Sequence, residues 1–531
     1  MLDKVPPGPD PVPQQAKGLR GHPWLTLFSV AIGVMMVALD GTIVAIANPA
    51  IQHDLKASLA DVQWITNGYL LALAVALITA GKLGDRFGHR QTFLIGIAGF
   101  AAASAAIGFS TEIGLVIAFR VLQGLFGALL MPAALGLLRA TFPAEKLNMA
   151  IGIWGMVIGA STAGGPIVGG LLVEHVSWQS VFFINVPVGI IALVFGLVVL
   201  RDHRAENAPR SFDIPGILLL SGAMGALVYG LIKAGESWGW GGTNTWLCVG
   251  GSVLLFVLFA VWETKAKEPL IPLAMFRSVP LSAGVVLMVL MAFAFMGGLF
   301  FVTFYLQGVH GLSPVDSGLH LLPLTGMMIV SSPVAGLLIT KFGPRVPLVG
   351  GMVCTAVAMF GMSQLAVGTG TLTMSLWFAL LGLGLAPVMV GATEVIVGNA
   401  PLELSGVAGG LQQAGMQVGG ALGTAVLGAV MSSRVNAEFA GNWKEAGIPT
   451  PPSPQLEQAA EFGIVPRELA QAPGMTPDAF KVISGVIHDT FVSGMGLAFS
   501  VGGGVAVVAA IVALFTKRGA NADAAGGGVH I

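Results

Sequence analysis

Three ionisable residues lie deep inside apolar runs: Asp40 in VALDGTIVAIANPA, Arg120 in AFRVLQGLFGALLMP and Glu394 in VGATEVIVGNAP. A charge at the centre of a membrane helix is unfavourable by about 2.5–3.5 kcal/mol on insertion scales, so each position calls for a reason. Asp40 falls in the outer half of the first apolar run. Arg120 falls at a similar depth in the fourth, and the two are expected to face a shared cavity and to influence each other's charge. A carboxylate holds a proton more tightly when desolvated and less tightly beside an arginine. A conformational change that alters either relation therefore takes up or releases a proton. Arg120 cannot release one at biological pH, which leaves Asp40 to carry it. The competing structural account makes Arg120 a fixed organiser bonded to backbone carbonyls and Asp40 a cap on a broken helix. Glu394, near the inner end of its run, is the third coupling candidate, but it can also reach the interface by snorkelling.

Polar and small residues form further patterns. Trp64, Asn67 and Tyr69 in WITNGYLL, with Gln123 beyond Arg120, are candidates for a substrate cavity. An aromatic belt at the membrane interface would explain the rings equally well. His320 could titrate or simply pack, and Asp316 is expected to cap a helix. GKLGDRFGHR reads as a tight inner turn, with Gly81, Gly84 and Gly88 where backbones turn or approach, and Asp85 among Arg86, His89 and Arg90. A salt-bridged latch fits; plain cytoplasmic anchoring explains the bases but not Asp85. ASTAGGPIVGG combines Pro166 with Gly164, Gly165, Gly169 and Gly170, a face able to slide against a partner helix.

The elements that position these residues follow from hydropathy. The chain is 55% hydrophobic and only 10% charged, where a soluble domain carries about 25% charge, so its surface belongs in lipid. Its net charge of −1 argues against a nucleic-acid partner, which needs a basic face. Cys248 and Cys354 both lie in apolar runs, so neither a disulfide nor a metal site is expected. Windows of about 19 residues place spans near 24–48, 62–82, 92–110, 113–138, 149–173 and 180–200. Two more follow near 214–234 and 245–262, and six near 280–307, 316–339, 346–367, 371–398, 404–430 and 484–515. The first apolar run is an anchor rather than a cleaved leader. With the N-terminus inside, Lys4, Lys17, Arg20, Lys82, Arg86, Arg90, Arg139, Lys146, Arg201, Arg204, Arg210, Lys265, Lys267, Arg277, Lys341, Arg345, Lys517 and Arg518 are cytoplasmic, and short outer loops hold only Lys56 and Lys233. Residues 431–482 read as one long outer loop, in which stretches such as QLEQAAEF are expected to form short helices. GKLGDRFGHR (81–90) and GLLITKFGPR (336–345) align, and the same offset lays GGPIVGG (164–170) over GGALGTA (419–425). Such repeated halves suit transporters built around an axis along the membrane normal.

These stretches resemble the fourteen-span drug:proton antiporters of the major facilitator superfamily, over essentially residues 24–515. LDGTIVAIANPAI (39–51) is similar to the first-span signature, with Ala45 where Asn is usual. GKLGDRFGHR is similar to the loop 2–3 signature, with His89 in place of the commoner Arg. FRVLQG (119–124) resembles the fourth-span signature that supplies a proton-linked arginine. GPIVGG (165–170) resembles the fifth-span export signature, with Ser161 replacing a Gly, and WQSVFFINVPVG (178–189) resembles a frequent family stretch, with Gln179 where Arg is common.

The resemblance implies an all-α membrane protein of two six-helix bundles plus two inserted helices. The expected divisions are a cytoplasmic tail (1–23), an N-terminal bundle (24–200), a linker with two extra spans (201–279), a C-terminal bundle (280–515) and a second cytoplasmic tail (516–531). It implies a bacterial cytoplasmic-membrane exporter of amphipathic or aromatic small molecules, a monomer driven by the proton gradient without a cofactor, and not an enzyme. An exporter of an endogenous metabolite or lipid would share every motif. A non-transporting sensor would not need the buried Asp and Arg.

Overall fold

A computed structural model describes residues 19–201, 213–267, 269–271, 273–400, 405–448, 451–466, 469 and 475–517. Lys4, Lys17, Arg204, Arg210 and Arg518 lie outside them, as do the side chains of Lys82 and Asp85. The described chain is helical: α1 (Pro23–Leu55), α2 (Leu59–Phe87), α3 (His89–Gly108), α4 (Ile113–Ala128), α5 (Leu130–Thr141), α6 (Ala144–His175), α7 (Ser180–Phe183), α8 (Asn185–Val199), α9 (Ile214–Lys233), α10 (Thr243–Glu263), α11 (Val279–Phe304), α12 (Pro314–His320), α13 (Leu322–Phe342), α14 (Arg345–Met362), α15 (Thr371–Gly398), α16 (Ser405–Glu445), α17 (Pro454–Phe462) and α18 (Pro477–Ala513). Helices suit lipid because they satisfy their own backbone groups.

Among the described residues twelve helices are long and apolar enough to cross a membrane, thirteen if the two bent halves of α6 count as one. The protein is multi-pass. The expected number was fourteen; α2 has the length, at 29 residues, but is not among the twelve. Helices α1–α8 pack into one bundle and α11–α18 into another, while α9 leans on α2 and α16 across the seam and α10 packs mainly on α9. Asp213 joins that hairpin at its base, accepting from the Gly216 amide at 3.0 Å and the Trp262 indole at 2.5 Å. Burial opposes its ionisation, but these donors outweigh burial and hold its carboxyl below the usual range.

Two boundaries move. The stretch from 431 does not begin as a loop: α16 runs on to Glu445, helped by an Arg434–Glu438 pair one turn apart, while QLEQAAEF lies in a short helix, α17, as expected. The cap of α12 is Ser313, whose hydroxyl accepts from the Asp316 amide at 3.1 Å; Asp316 sits in the first turn instead.

The internal repeat is visible in local geometry. Gly88 and Gly343, equivalent in the alignment, have φ of +96° and +78°, a region only glycine enters without strain. Their amides close α2 and α13 onto the equivalent carbonyls of Gly84 and Ile339, at 2.9 Å each. Arg86 and Lys341 lie over the rings of Phe87 and Phe342. Arg90 donates to the Leu197 carbonyl near the end of α8, and Arg345 to the Thr516 carbonyl just past α18.

Glycines set the closest helix pairs. Pro166 lacks an N–H, so the Thr162 carbonyl one turn earlier loses its intrahelical donor. The Thr42 hydroxyl of α1 supplies one at 3.0 Å, and the halves of α6 on either side meet at 42°. A Cβ on Gly165 would lie 2.0 Å from Thr42 Oγ1, whereas one on Gly164 meets nothing within 4 Å. Gly165→Ala should therefore lower the midpoint of thermal unfolding in detergent, by overpacking of about 1–3 kcal/mol. Gly164→Ala should leave it level or raise it, since Ala is the better helix former by up to about 1 kcal/mol. Equal effects of the two would contradict this α1–α6 contact.

Candidate functional site

Asp40 on α1 and Arg120 on α4 form one buried centre. Their side chains are 0% and 2% exposed, and Arg120 Nη1 donates to Asp40 Oδ2 at 2.5 Å. The guanidinium also donates through Nε to the Ile65 carbonyl at 3.1 Å and through Nη1 to Gln123 Oε1 at 2.5 Å. Its plane lies over the Tyr69 ring, 4.0 Å from the centroid, a stacking that favours a desolvated cation. Gln123 turns its amide nitrogen to Asp40 Oδ1 at 3.0 Å and to Ser104 Oγ at 2.6 Å. Asn185, the first residue of α8, approaches both oxygens at 3.3 Å. Among the described residues Asp40 is approached by donors: Arg120 Nη1 and the amide nitrogens of Gln123 and Asn185.

Removing one member of such a pair strands a buried charge and typically costs 3–5 kcal/mol. Loss of either charge therefore leaves the other buried without its ion partner. Protonation would leave Arg120 with the Ile65 carbonyl, Gln123 and the Tyr69 ring, a partial replacement.

The other expected residues distribute differently. The four cavity candidates do not line one space: Tyr69 and Gln123 belong to the ion-pair centre, while Trp64 faces α9, its ring 6.4 Å from that of Tyr229. Asn67 is fully buried and its Oδ1 accepts from Thr424 of α16. A cavity of about 290 Å³ does open between α2, α9, α16 and α17, lined partly by Gln63, Asn436 and Glu461, away from Asp40. Glu394 is half-buried on α15 in the other bundle, so it does not join Asp40 and Arg120.

In the turn between α2 and α3, the His89 ring fills the space over two glycines: a Cβ on Gly84 or Gly136 would fall 2.5 Å from it. Gly81 has no such close neighbour. The Asp85 side chain, the centre of the expected latch, lies outside the described residues. In the export motif, Gly165 and Gly169 seat Thr42 and Ile43 of α1, whereas Gly170 faces the Pro314 and Val315 backbone of α12, and the Pro166 carbonyl faces Gly318. The motif thus touches both bundles. Glu174, one turn further, accepts from the Val315 amide at 3.0 Å. Gln307 donates to the Ile46 carbonyl at 3.1 Å and Gln458 to Ala57 at 3.4 Å, so these cross-bundle bonds gather where α1 ends and α2 begins.

Ser104 and Asn185 escape a search for charge because both are neutral, one among alanines and the other in FFINVPVG. The available signal was an amide inside an apolar run, where an unsatisfied polar group is costly.

Residues 30–424 match the Major Facilitator Superfamily. The chain is 67% identical over 506 residues to the tetracenomycin C resistance and export protein of Streptomyces glaucescens, covering 95% of this chain and 93% of that protein. It is 34% identical to the puromycin resistance protein of Streptomyces alboniger, covering 82% and 84%. It is 33% identical to the multidrug efflux pump LfrA of Mycolicibacterium smegmatis, covering 77% and 81%. In fold it is similar to a bacterial homologue of the human lysosomal transporter Spinster in an inward-facing, unoccupied conformation, with a TM-score of 0.61 at 16% identity and coverage of 94% and 99%. By the extent of these matches and the two-bundle helical fold, the chain belongs to the major facilitator superfamily of membrane transporters.

Proposed function

We propose that the protein exports amphipathic or aromatic small molecules, antibiotics among them, across the bacterial cytoplasmic membrane in exchange for protons. The activities of the resistance and export relatives support the substrate class. The observation that carries the coupling is the enclosed Asp40–Arg120 pair, a carboxylate and a cation buried against each other in the N-terminal bundle. Glu394 is the reserve candidate.

In this reading fourteen spans cross the membrane with both termini in the cytoplasm, the protein works as a monomer, and no cofactor is needed beyond the proton gradient. The end where Glu174 meets Val315 is then the outer end, closed here, and substrate enters from the cytoplasm between the bundles. Opening that end admits a proton to Asp40. Neutralising Asp40 releases the tie between α1 and α4, while Tyr69 keeps Arg120 supported. Return to the inward-open state delivers the proton to the cytoplasm and restores the pair. Alternating access then follows from two packings of rigid bundles, each favoured by one protonation state.

Topology is checked by cysteine labelling after Cys248 and Cys354 are replaced. An impermeant thiol reagent applied to intact cells should modify Glu445→Cys and spare Lys265→Cys, both exposed positions; the reverse pattern inverts the orientation.

Coupling is checked in proteoliposomes by substrate-induced proton release over a pH series. Asp40→Asn should abolish it, with energy-independent substrate exchange retained. Arg120→Ala leaves a carboxylate in apolar surroundings without its cation, so protonation occurs more readily and the pH optimum moves upward. Arg120→Lys should recover part of the activity, because a point charge replaces the guanidinium fork. Normal proton release from Asp40→Asn would move the coupling acid elsewhere.

A further inference from the structure

We propose that Asn185 is a positioning residue of the proton centre: its amide donates to Asp40 while Asp40 is a carboxylate and turns to accept from it once the acid is protonated. This rests on Asp40 being the coupling acid.

Two neutral amides face Asp40 Oδ1, and they differ in freedom. Gln123 is oriented by Arg120, which occupies its Oε1 at 2.5 Å, so its nitrogen must point to Asp40 and Ser104. Asn185 makes the two longest bonds of the set, 3.3 Å to Asp40 Oδ1 and 3.3 Å to Ser104 Oγ. It follows Ile184, the one residue separating α7 from α8, and it is 2% exposed. Its terminal torsion is broad and roughly two-fold, so a half turn exchanges Nδ2 and Oδ1 in nearly the same space.

The need for that turn comes from hydrogen-bond polarity. An acid proton on Oδ1 would point at amide N–H groups, which cannot accept it. After the half turn, Asn185 Oδ1 accepts from the Asp40 hydroxyl, and the Ser104 hydroxyl, which rotates freely, donates to the same oxygen. Gln123 keeps its bond to Ser104. No bond is made or broken beyond the transfer of one proton to Asp40 from the aqueous side. The titratable and charged groups facing Asp40 among the described residues are Arg120 of α4 and the Tyr69 phenol of α2. Helices α3, α7 and α8 present Ser104, Phe182 and Asn185, and α6 presents Gly165 and the Thr162 carbonyl beside Thr42. A neutral, reversible partner on α8 lets the centre hold either protonation state without a second charge.

The test reads the pH dependence of substrate-induced proton release in proteoliposomes. Asn185→Leu, which keeps the branched shape and removes the amide, should raise its midpoint by up to about one pH unit, the amount by which a bond to the carboxylate exceeds one to the acid. Asn185→Asp, a second carboxylate beside the first, should raise it further. A midpoint unchanged in Asn185→Leu, with Asp40→Asn silent, overturns the role of Asn185 alone. Normal release from Asp40→Asn overturns the coupling acid and this inference together. Infrared difference spectra of the wild-type protein give a readout that needs no Asn185 variant. The carboxyl band that Asp40→Asn removes should titrate together with an amide C=O band shifted by 13C-asparagine labelling, and absence of that companion band also overturns the proposal.

Discussion

Asp40 and Arg120 share an interior with almost no solvent, where each would be several kcal/mol less favourable without the other. That mutual dependence sets conditions on the surrounding helices. α1 and α4 must hold their charges in contact, although α4 packs mainly against α2 and α3. The link is therefore made by side chains, not by backbone approach. Tyr69 from α2 lies against one face of the guanidinium, and Gln123 lies one turn along α4 from Arg120. Ser104 from α3 and Asn185 from α8 complete the set. Each of these groups is neutral, so the net charge of the centre changes only when Asp40 gains or loses a proton.

The same bundle uses the opposite device elsewhere. Between α1 and α6, and between α6 and α12, the glycines Gly165, Gly169, Gly170 and Gly318 let the helices approach closely, with Thr42 and Ile43 seated on the first two. In lipid there is little hydrophobic drive between helices, so van der Waals contact and close approach supply the association. The C-terminal half repeats the pattern, with Gly419 and Gly423 of α16 against Val289 and Phe293 of α11. Smooth contacts of this kind hold helices at a fixed distance, yet present few interlocking side chains to oppose a shift along the contact.

Much of this was legible in the sequence where a residue broke an apolar background. Asp40 and Arg120 stood out by charge, and the paired inner turns by glycine and arginine spacing, which the structure returns as two positive-φ caps and two carbonyl contacts. What was not legible depended on which way a helix is turned. Trp64, Asn67 and Tyr69 lie within two turns of one helix, yet face α9, α16 and the ion pair, because each residue advances by about 100°. Ser104 and Asn185 carry no charge and resemble ordinary interruptions of an apolar run. The extension of α16 beyond 430 was hidden by its polarity, which reads as loop when a membrane span is taken to end where hydropathy falls.

The position of Pro166 connects these themes. By removing one backbone donor it frees the Thr162 carbonyl, and the hydroxyl that answers belongs to Thr42, two residues beyond Asp40 on the same helix. The carbonyl of Pro166 itself rests against Gly318 of the other bundle. α1 thus carries the buried Asp40 in its middle and grips α6 immediately beside it, while α6 touches the second bundle at the same level. Spatial adjacency alone does not establish coupling; a two-state element that both sites bias is required. The two halves of α6, Ile153–Thr162 and Gly164–His175, meet at 42° just before the proline, and the Thr42 bond holds the last carbonyl of the first half. A displacement of α1 that follows neutralisation of Asp40 must either carry the Thr162 carbonyl with it or leave that carbonyl unsatisfied in an apolar interior. The second course is the costlier, so the bend in α6 follows α1, and the contact with α12 follows the bend.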